Sequence, residues 1–205
     1  MRKFILIPII TTSILLASNT NLDESIKNIK EKEYTKVINR LNQLKETKNI
    51  NYLLGKAYFE RHLTYSDYKL AAKYLEKSKM HNANYYLGEL YEKGLGVKQN
   101  INKAIQYYKK SNTGKANFKL YELYQKGEYV LKNPKIAMDY LKKAANKGYD
   151  KAQYILGKIY LMGNKFTNKD LNKAAKWLKK STHNGKLKAK ELWNKYQLYK
   201  YIDNN

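Results

Sequence analysis

The chain has 205 residues, enough for one domain or one array of repeats. It contains no cysteine, which excludes disulfide frameworks and thiolate chemistry. Lysine and arginine together number 41 against 17 acidic residues, and the resulting net charge of +24 favours an acidic partner: nucleic acid, anionic lipid, an anionic cell-wall polymer or an acidic protein. The lysines run evenly along the sequence, so we interpret most of them as solvated helix surface.

The first 18 residues have the composition of a secretory signal peptide. Met1-Arg2-Lys3 is a short basic start, Phe4–Ala17 is an almost uncharged apolar run, and polar residues follow from Ser18. The run is shorter than the roughly 20 apolar residues that span a bilayer. We therefore predict that residues 1–18 direct export across the inner membrane of a bacterium, and that the remaining chain functions in the periplasm or as a secreted protein. An uncleaved membrane anchor is the alternative.

Residues 19–49 are predicted to form N-terminal capping helices. Apolar residues recur at helical spacing between Ser25 and Lys48, and we expect a break between two helices near Glu31–Tyr34. The segment is expected to pack on the first repeat, because the end of an array leaves one hairpin face uncovered.

Two residue patterns recur along residues 50–185. In the first, an anchor leucine is followed directly by a glycine, and a tyrosine stands three residues after that glycine. Successive anchor leucines are 33, 33 and 36 residues apart. In the second, an alanine is followed three residues later by tyrosine or tryptophan. Each period thus holds two helical segments joined by a turn, which predicts four helical hairpins in an all-α fold. The residues assigned to repeat packing are Leu54, Gly55, Tyr58, Ala71, Leu87, Gly88, Tyr91, Ala104, Leu120, Tyr124, Ala137, Leu156, Gly157, Tyr160, Ala174 and Trp177.

The glycine after the anchor leucine is unusual in a helix interior, where it costs about 1 kcal/mol relative to alanine. We expect it to let the second helix approach closely, with the alanine of that helix opposite. Tyrosine and tryptophan are expected to fill the space between neighbouring hairpins. The glycines that follow, Gly94, Gly127 and Gly163, are expected to cap the first helices with a positive φ. Tyr121 replaces the packing glycine in the third repeat, which predicts a splayed or shifted hairpin.

Residues 186–205 are predicted to form a C-terminal capping helix. Apolar residues continue at helical spacing through Leu187, Leu192, Trp193, Tyr196 and Tyr199. Such an atypical last helix would cover the open face of the final hairpin.

Two stretches carry a resemblance to a known family. Residues Lys142–Tyr160 with Gly163, and Tyr86-Leu87-Gly88-Glu89-Leu90-Tyr91-Glu92-Lys93-Gly94 leading to Lys103-Ala104, resemble the Sel-one-like repeat (SLR), a relative of the tetratricopeptide repeat. The resemblance covers roughly residues 50–200. It implies an α-solenoid of stacked antiparallel hairpins in a right-handed superhelix, and a non-catalytic adaptor or scaffold that organises protein complexes.

By the same resemblance, partner-binding residues lie two before and two after each anchor leucine, on the concave face: Tyr52, Lys56, Tyr85, Glu89, Phe118, Glu122, Tyr154 and Lys158. The aromatic members could instead be packing residues, whereas the charged members are the better candidates because core packing does not require a charge. The expected ligand is a protein or peptide, with an acidic one favoured by the net charge. An immunity or inhibitor protein that captures a toxin or cell-wall enzyme, and a binder of anionic envelope polymer, are the alternatives.

The sequence offers no constellation for catalysis, metal or cofactor. The three histidines, His62, His81 and His183, belong to different repeats and no pair has metal-ligand spacing. Glu89 and Glu92 are three residues apart on one helix face, and we interpret them as a solvated or groove-lining pair rather than an acid–base pair. Nucleic-acid binding is not expected, since no recognition motif is present.

Overall fold

The structure, a computed structural model, describes residues 19–61 and 64–202. The predicted signal peptide, residues 1–18, and His62 lie outside the described residues. Within these ranges the regular structure is helical, apart from one isolated bridge between Asn164 and Thr167. The helices are α1 Asn19–Asn42, α2 Lys48–Arg61, α3 Tyr65–Ser78, α4 His81–Lys93, α5 Ile101–Ser111, α6 Gly114–Lys126, α7 Pro134–Asn146, α8 Asp150–Met162, α9 Leu171–His183 and α10 Leu187–Lys195, followed by a 3₁₀ turn at Leu198–Tyr201.

The helices α2 to α9 pair into four antiparallel hairpins that stack in chain order. The first helix of each hairpin packs on the second, and each second helix packs on the first helix of the next hairpin. Helix α4 also contacts α2 and α6, so the first helices of adjacent repeats lie side by side. The predicted fold class, an all-α solenoid of stacked hairpins, is confirmed.

Polar N-caps and glycine C-caps set the helix bounds. The side chains of Asn100, Thr113 and Asp170 each accept a hydrogen bond from the backbone N–H three residues on, at the starts of α5, α6 and α9. Gly94 and Gly127 end α4 and α6 with φ of 69° and 76°, a conformation that favours glycine. Local capping therefore defines the starts of α5, α6 and α9 and the ends of α4 and α6.

The glycines after the anchor leucines do allow close packing, but the side chain opposite is not the predicted alanine. A Cβ atom at Gly55 or Gly157 would lie 2.6 or 2.7 Å from the Cγ of Leu75 or Leu178, and one at Gly88 would lie 2.5 Å from Cε1 of Tyr108. The covering residue is the one four positions after the repeat alanine. The alanines themselves are fully buried beside it, one helical turn earlier.

The third hairpin is not splayed, so the prediction from Tyr121 is wrong. Helices α6 and α7 pack as closely as those of the other hairpins, and Leu141 of α7 is fully buried. The ring of Tyr121 lies beside Phe118 with centroids 5.3 Å apart and stays half-buried. A large residue is accommodated here because its ring packs along its own helix.

The repeat tyrosines stack within hairpins, not between them as predicted. Tyr58 and Tyr74 are 5.7 Å apart, and two further pairs repeat this geometry: Tyr91 with Tyr107 at 5.5 Å, and Tyr124 with Tyr140 at 5.8 Å. Their ring planes are nearly parallel, at 3°, 15° and 8°. Each pair joins the two helices of one hairpin.

Both ends of the array differ from the predictions. Helix α1 runs through Glu31–Tyr34 without the expected break. At the other end, α10 stops at Lys195, and Gln197 adopts a left-handed φ of 47° before the 3₁₀ turn. This break returns Leu198 to the core, where it is fully buried against α9.

Candidate functional site

A cavity of about 320 Å³ opens where the N-terminal ends of α4 and α6 meet the turn between α7 and α8. It spans the first three hairpins, because Tyr52 of α2 also reaches it. Its lining residues are Tyr52, Asn82, Tyr85, Tyr86, Thr113, Gly114, Lys115, Lys147, Gly148 and Tyr149. We call this set the tyrosine groove.

Four tyrosine rings form most of the apolar wall of the tyrosine groove. Tyr86 lies against Tyr85 at 5.2 Å and against Tyr52 at 6.3 Å between ring centroids. Tyr149 rests on the buried ring of Phe118 at 5.1 Å. Burial raises the pKa of Tyr85 and Tyr86 well above the ordinary value, and Glu89 and Tyr52 respectively add to the shift. The hydroxyl of Tyr85 is hydrogen-bonded to Glu89 and that of Tyr86 to Tyr52, so these two rings offer a ligand mainly apolar and aromatic contact.

Two lysines give the tyrosine groove a positive rim. Both Lys115 and Lys147 are exposed, and neither pairs with a carboxylate of the part of the chain that the structure describes. The Lys115 ammonium lies 6.0 Å from the ring centroid of Tyr85. Helix α6 begins between these lysines at Gly114, and a helix N-terminus adds to the positive potential.

The predicted aromatic ladder is only partly present. Tyr52 and Tyr85 line the tyrosine groove, but Phe118 is 3% exposed and its ring is covered by Tyr149, so it cannot contact a ligand. Tyr154 packs in the last hairpin with Lys186 6.0 Å from its ring. The aromatic residues two before the anchor leucine therefore divide into groove and core members.

The predicted charged positions also have different environments. Lys158 is exposed and Lys56 is half-buried, while Glu122 pairs with Lys151 at 3.5 Å. Glu89 is 8% exposed, which contradicts the expectation that no charge is needed in the packing. A buried network accounts for it.

This network joins the second and third hairpins. The Lys119 ammonium lies 3.6 Å from a carboxylate oxygen of both Glu89 and Glu92, and the Tyr108 hydroxyl donates a hydrogen bond to Glu92. Burial alone would lower the pKa of Lys119, but Glu92 and Glu89 raise it above the ordinary value. The two glutamates are thus structural anions between α4 and α6, and the interpretation of a solvated pair is wrong.

Several groove residues were not predicted from the sequence. Tyr86, Lys115, Lys147 and Tyr149 lie outside the positions that the family resemblance supplied. One repeat signal could have found part of the set: Thr113 and Tyr149 each stand seven residues before an anchor leucine, at the N-cap of a first helix.

No cluster of three or more histidine, aspartate or glutamate side chains that could hold a metal ion occurs in residues 19–61 and 64–202. Across the same ranges, no helix combines the length and the apolar character that crossing a bilayer requires.

The stacked hairpins define a helical-repeat protein of the α-solenoid class. The model of the Sel1 repeat matches four consecutive segments, residues 51–82, 81–113, 114–149 and 150–186. The chain therefore belongs to the Sel1 repeat family, whose members are generally protein-interaction scaffolds and typically non-catalytic.

One solved structure agrees with this assignment. The crystal structure of a Sel1 repeat protein from Oxalobacter formigenes is 27% identical, with a TM-score of 0.62 over 78% of this chain and 67% of that one. A second crystal structure is that of a protective antigen present in uropathogenic Escherichia coli strains, which displays an SLR fold. It is 23% identical with a TM-score of 0.36, and the match covers 70% of this chain and 40% of that one. No curated protein matches the chain.

Proposed function

We propose that this protein is an exported, non-catalytic adaptor that binds a segment of a partner protein in the tyrosine groove on the concave face. The observation that carries the proposal is the cavity itself, in which four tyrosine rings and two unpaired lysines converge from three hairpins. Tyrosine supplies a large, rigid contact area at low cost in conformational entropy, and for this reason it dominates many protein-binding surfaces.

The chemistry of the tyrosine groove favours an acidic partner segment. Its volume of about 320 Å³ is at the small end for ligand sites and suits one or two side chains. An apolar or aromatic side chain would pack among Tyr52, Tyr85 and Tyr86, and a neighbouring carboxylate would meet Lys115 and Lys147. Phosphate or sulfate groups without an apolar neighbour would leave the aromatic wall unused.

Export is supported by the composition of residues 1–18 alone. If those residues are removed, the chain in the periplasm or outside the cell would begin near residue 19. An immunity or inhibitor protein remains the second candidate, because the same groove could hold a loop of a toxin or a cell-wall enzyme. The identity of a captured partner would decide between the two.

The test is affinity capture from an envelope extract with residues 19–205. The groove variant combines Lys115→Glu with Lys147→Glu, and the matched control combines Lys109→Glu with Lys142→Glu. All four lysines are exposed, and the control pair lies on the second helices α5 and α7 away from the groove. The expected result is a protein partner that resists high salt, is lost with the groove variant and is retained with the control.

The proposal fails if both variants capture the same proteins as the parent, or if nothing remains bound at high salt. If a partner is captured, the purified partner is titrated against the Tyr52→Ala variant. This truncation should weaken binding by about tenfold, the usual size of an interface hot-spot effect.

A further inference from the structure

The even distribution of positive charge along the sequence extends to the C-terminal end of the array. Residues 150–202 contain thirteen lysines and three acidic residues. Helix α9 alone contains four lysines and no acidic residue between Leu171 and His183. Helix α9 follows α4 of the tyrosine groove by five helices, although Lys179 and Lys180 also line a cavity that reaches Gly148 of that groove.

The four lysines of α9 line one cleft. The C-terminal segment crosses α9 and forms the opposite wall through Tyr201 and Ile202, enclosing about 540 Å³. The lining residues are Asn172, Lys173, Lys176, Lys179, Lys180, Tyr201 and Ile202. We call this set the α9 lysine cleft. No carboxylate is among its described lining residues.

Little in the surrounding structure neutralises these charges. Lys173 pairs with Asp170 at 2.8 Å, and the Lys180 ammonium lies 5.0 Å from the ring centroid of Trp177. Lys176 and Lys179 are exposed and form no ion pair with any residue that the structure describes. The cleft thus brings together four ammonium groups with one carboxylate partner, Asp170, and its positive potential favours an anionic ligand.

A second cleft in the same protein provides a contrast. It is of similar volume, about 550 Å³, and is lined by three lysines of α3, Lys69, Lys73 and Lys77. Glu76 also lines it, and Lys77 pairs with Glu46 at 3.1 Å. The α3 cleft is thus partly neutralised by its own carboxylates, whereas the α9 lysine cleft is not.

We propose that the α9 lysine cleft binds a linear polyanion through closely spaced phosphate groups. Lys173, Lys176 and Lys180 follow successive turns of one helix, about 5 Å apart along its axis, so they can contact successive phosphates of one chain. The concave shape favours a chain that enters the cleft over a flat bilayer surface. This inference does not depend on the proposed function, since the two sites share no residue.

The experiment measures binding of inorganic polyphosphate to the full chain by fluorescence, using Trp177 beside the cleft. The cleft variant is Lys176→Gln, Lys179→Gln and Lys180→Gln. The matched control is Lys69→Gln, Lys73→Gln and Lys77→Gln, which removes the same charge from the α3 cleft. Vesicles of anionic and of zwitterionic phospholipid form a second arm, and circular dichroism establishes that both variants are folded.

The cleft variant should bind polyphosphate about tenfold or more weakly than the parent, and the control within about twofold. Each lysine that contacts a phosphate contributes about 0.7 to the slope of log affinity against log salt for a single chain. The slope of the cleft variant should therefore fall by about 2. Equal weakening of both variants would overturn the proposal and leave only diffuse charge. Binding to anionic vesicles but not to polyphosphate would overturn it in favour of a lipid surface.

Discussion

Gly88 lies directly under the ring of Tyr108. Because glycine has a hydrogen atom where alanine has a methyl group, the ring can approach the backbone of α4 closely. The position that a Cβ atom would take is 2.5 Å from that ring, closer than atoms can pack. We expect Gly88→Ala to destabilise the protein by about 1–2 kcal/mol, because overpacking exceeds the gain in helix propensity. Urea unfolding followed by circular dichroism measures the change.

Gln106→Ala on the exposed face of α5 is the control for Gly88→Ala and should change the free energy of unfolding by less than about 0.5 kcal/mol. If Gly88→Ala is as stable as the parent, the close approach of α5 to α4 is not the reason for the glycine.

Lys119 is the residue on which the buried network depends. Lys119→Met would leave Glu89 and Glu92 close together without their shared cation, and we expect a loss of about 2 kcal/mol. The control is Lys126→Met, since Lys126 pairs with Glu128 at 3.9 Å and both side chains are about 60% exposed. An exposed pair of this kind contributes less than about 1 kcal/mol. Equal losses in the two variants would show that the network adds nothing beyond a surface pair.

The sequence pattern predicted the small and large packing residues but not the buried charges. The period of the sequence marks Leu87 and Gly88 because the leucine recurs in all four repeats and the glycine in three of them. The burial of Glu89 depends on Lys119, which lies thirty residues later in the next repeat and does not recur. A pairing that occurs once leaves no periodic signal.

The C-terminal cap depends on an element that helical periodicity did not reveal. Helix α10 ends at Lys195, and the 3₁₀ turn inserts Leu198 against α9. Leu198→Ala should cost about 2–4 kcal/mol and raise amide exchange first in α9 and α10, because a cavity opens between them. Hydrogen exchange resolved by segment is the measurement.

Tyr199→Ala, at the next position, serves as the control for Leu198→Ala. Its side chain is 59% exposed, so we expect little change in stability or exchange. If Leu198→Ala leaves the amide protection of α9 unchanged, the turn does not act as a cap.

The break at Gln197 could not be predicted, since nothing in its residue type requires a positive φ.

Across the whole molecule, buried tyrosines couple stability to alkaline pH. Burial raises the pKa of Tyr85, Tyr86 and Tyr108 above the ordinary value of 10.0. The native state keeps protons that the unfolded chain releases, so the stabilising contribution is complete below about pH 10 and decreases as the pH rises above it. Each group lowers the free energy of unfolding by up to about 1.4 kcal/mol per pH unit in that range.

The measurement for this coupling is urea unfolding at a series of pH values on both sides of pH 10. Tyr86→Phe removes one of the three groups and should show a shallower decline than the parent, while Tyr65→Phe, with an exposed ring, should follow the parent curve. Identical curves for all three proteins would mean that the buried phenols do not control the alkaline transition.

The two kinds of fluorescent side chain are unevenly distributed along the array. Both tryptophans, Trp177 and Trp193, lie in the last hairpin and its cap, whereas the stacked tyrosine pairs occupy the first three hairpins. Indole emission therefore reports on the C-terminal end of the solenoid, whereas most of the phenol emission comes from the first three hairpins. In a protein whose repeats contact only their neighbours, the order in which these two signals change during unfolding would reveal from which end the array unravels.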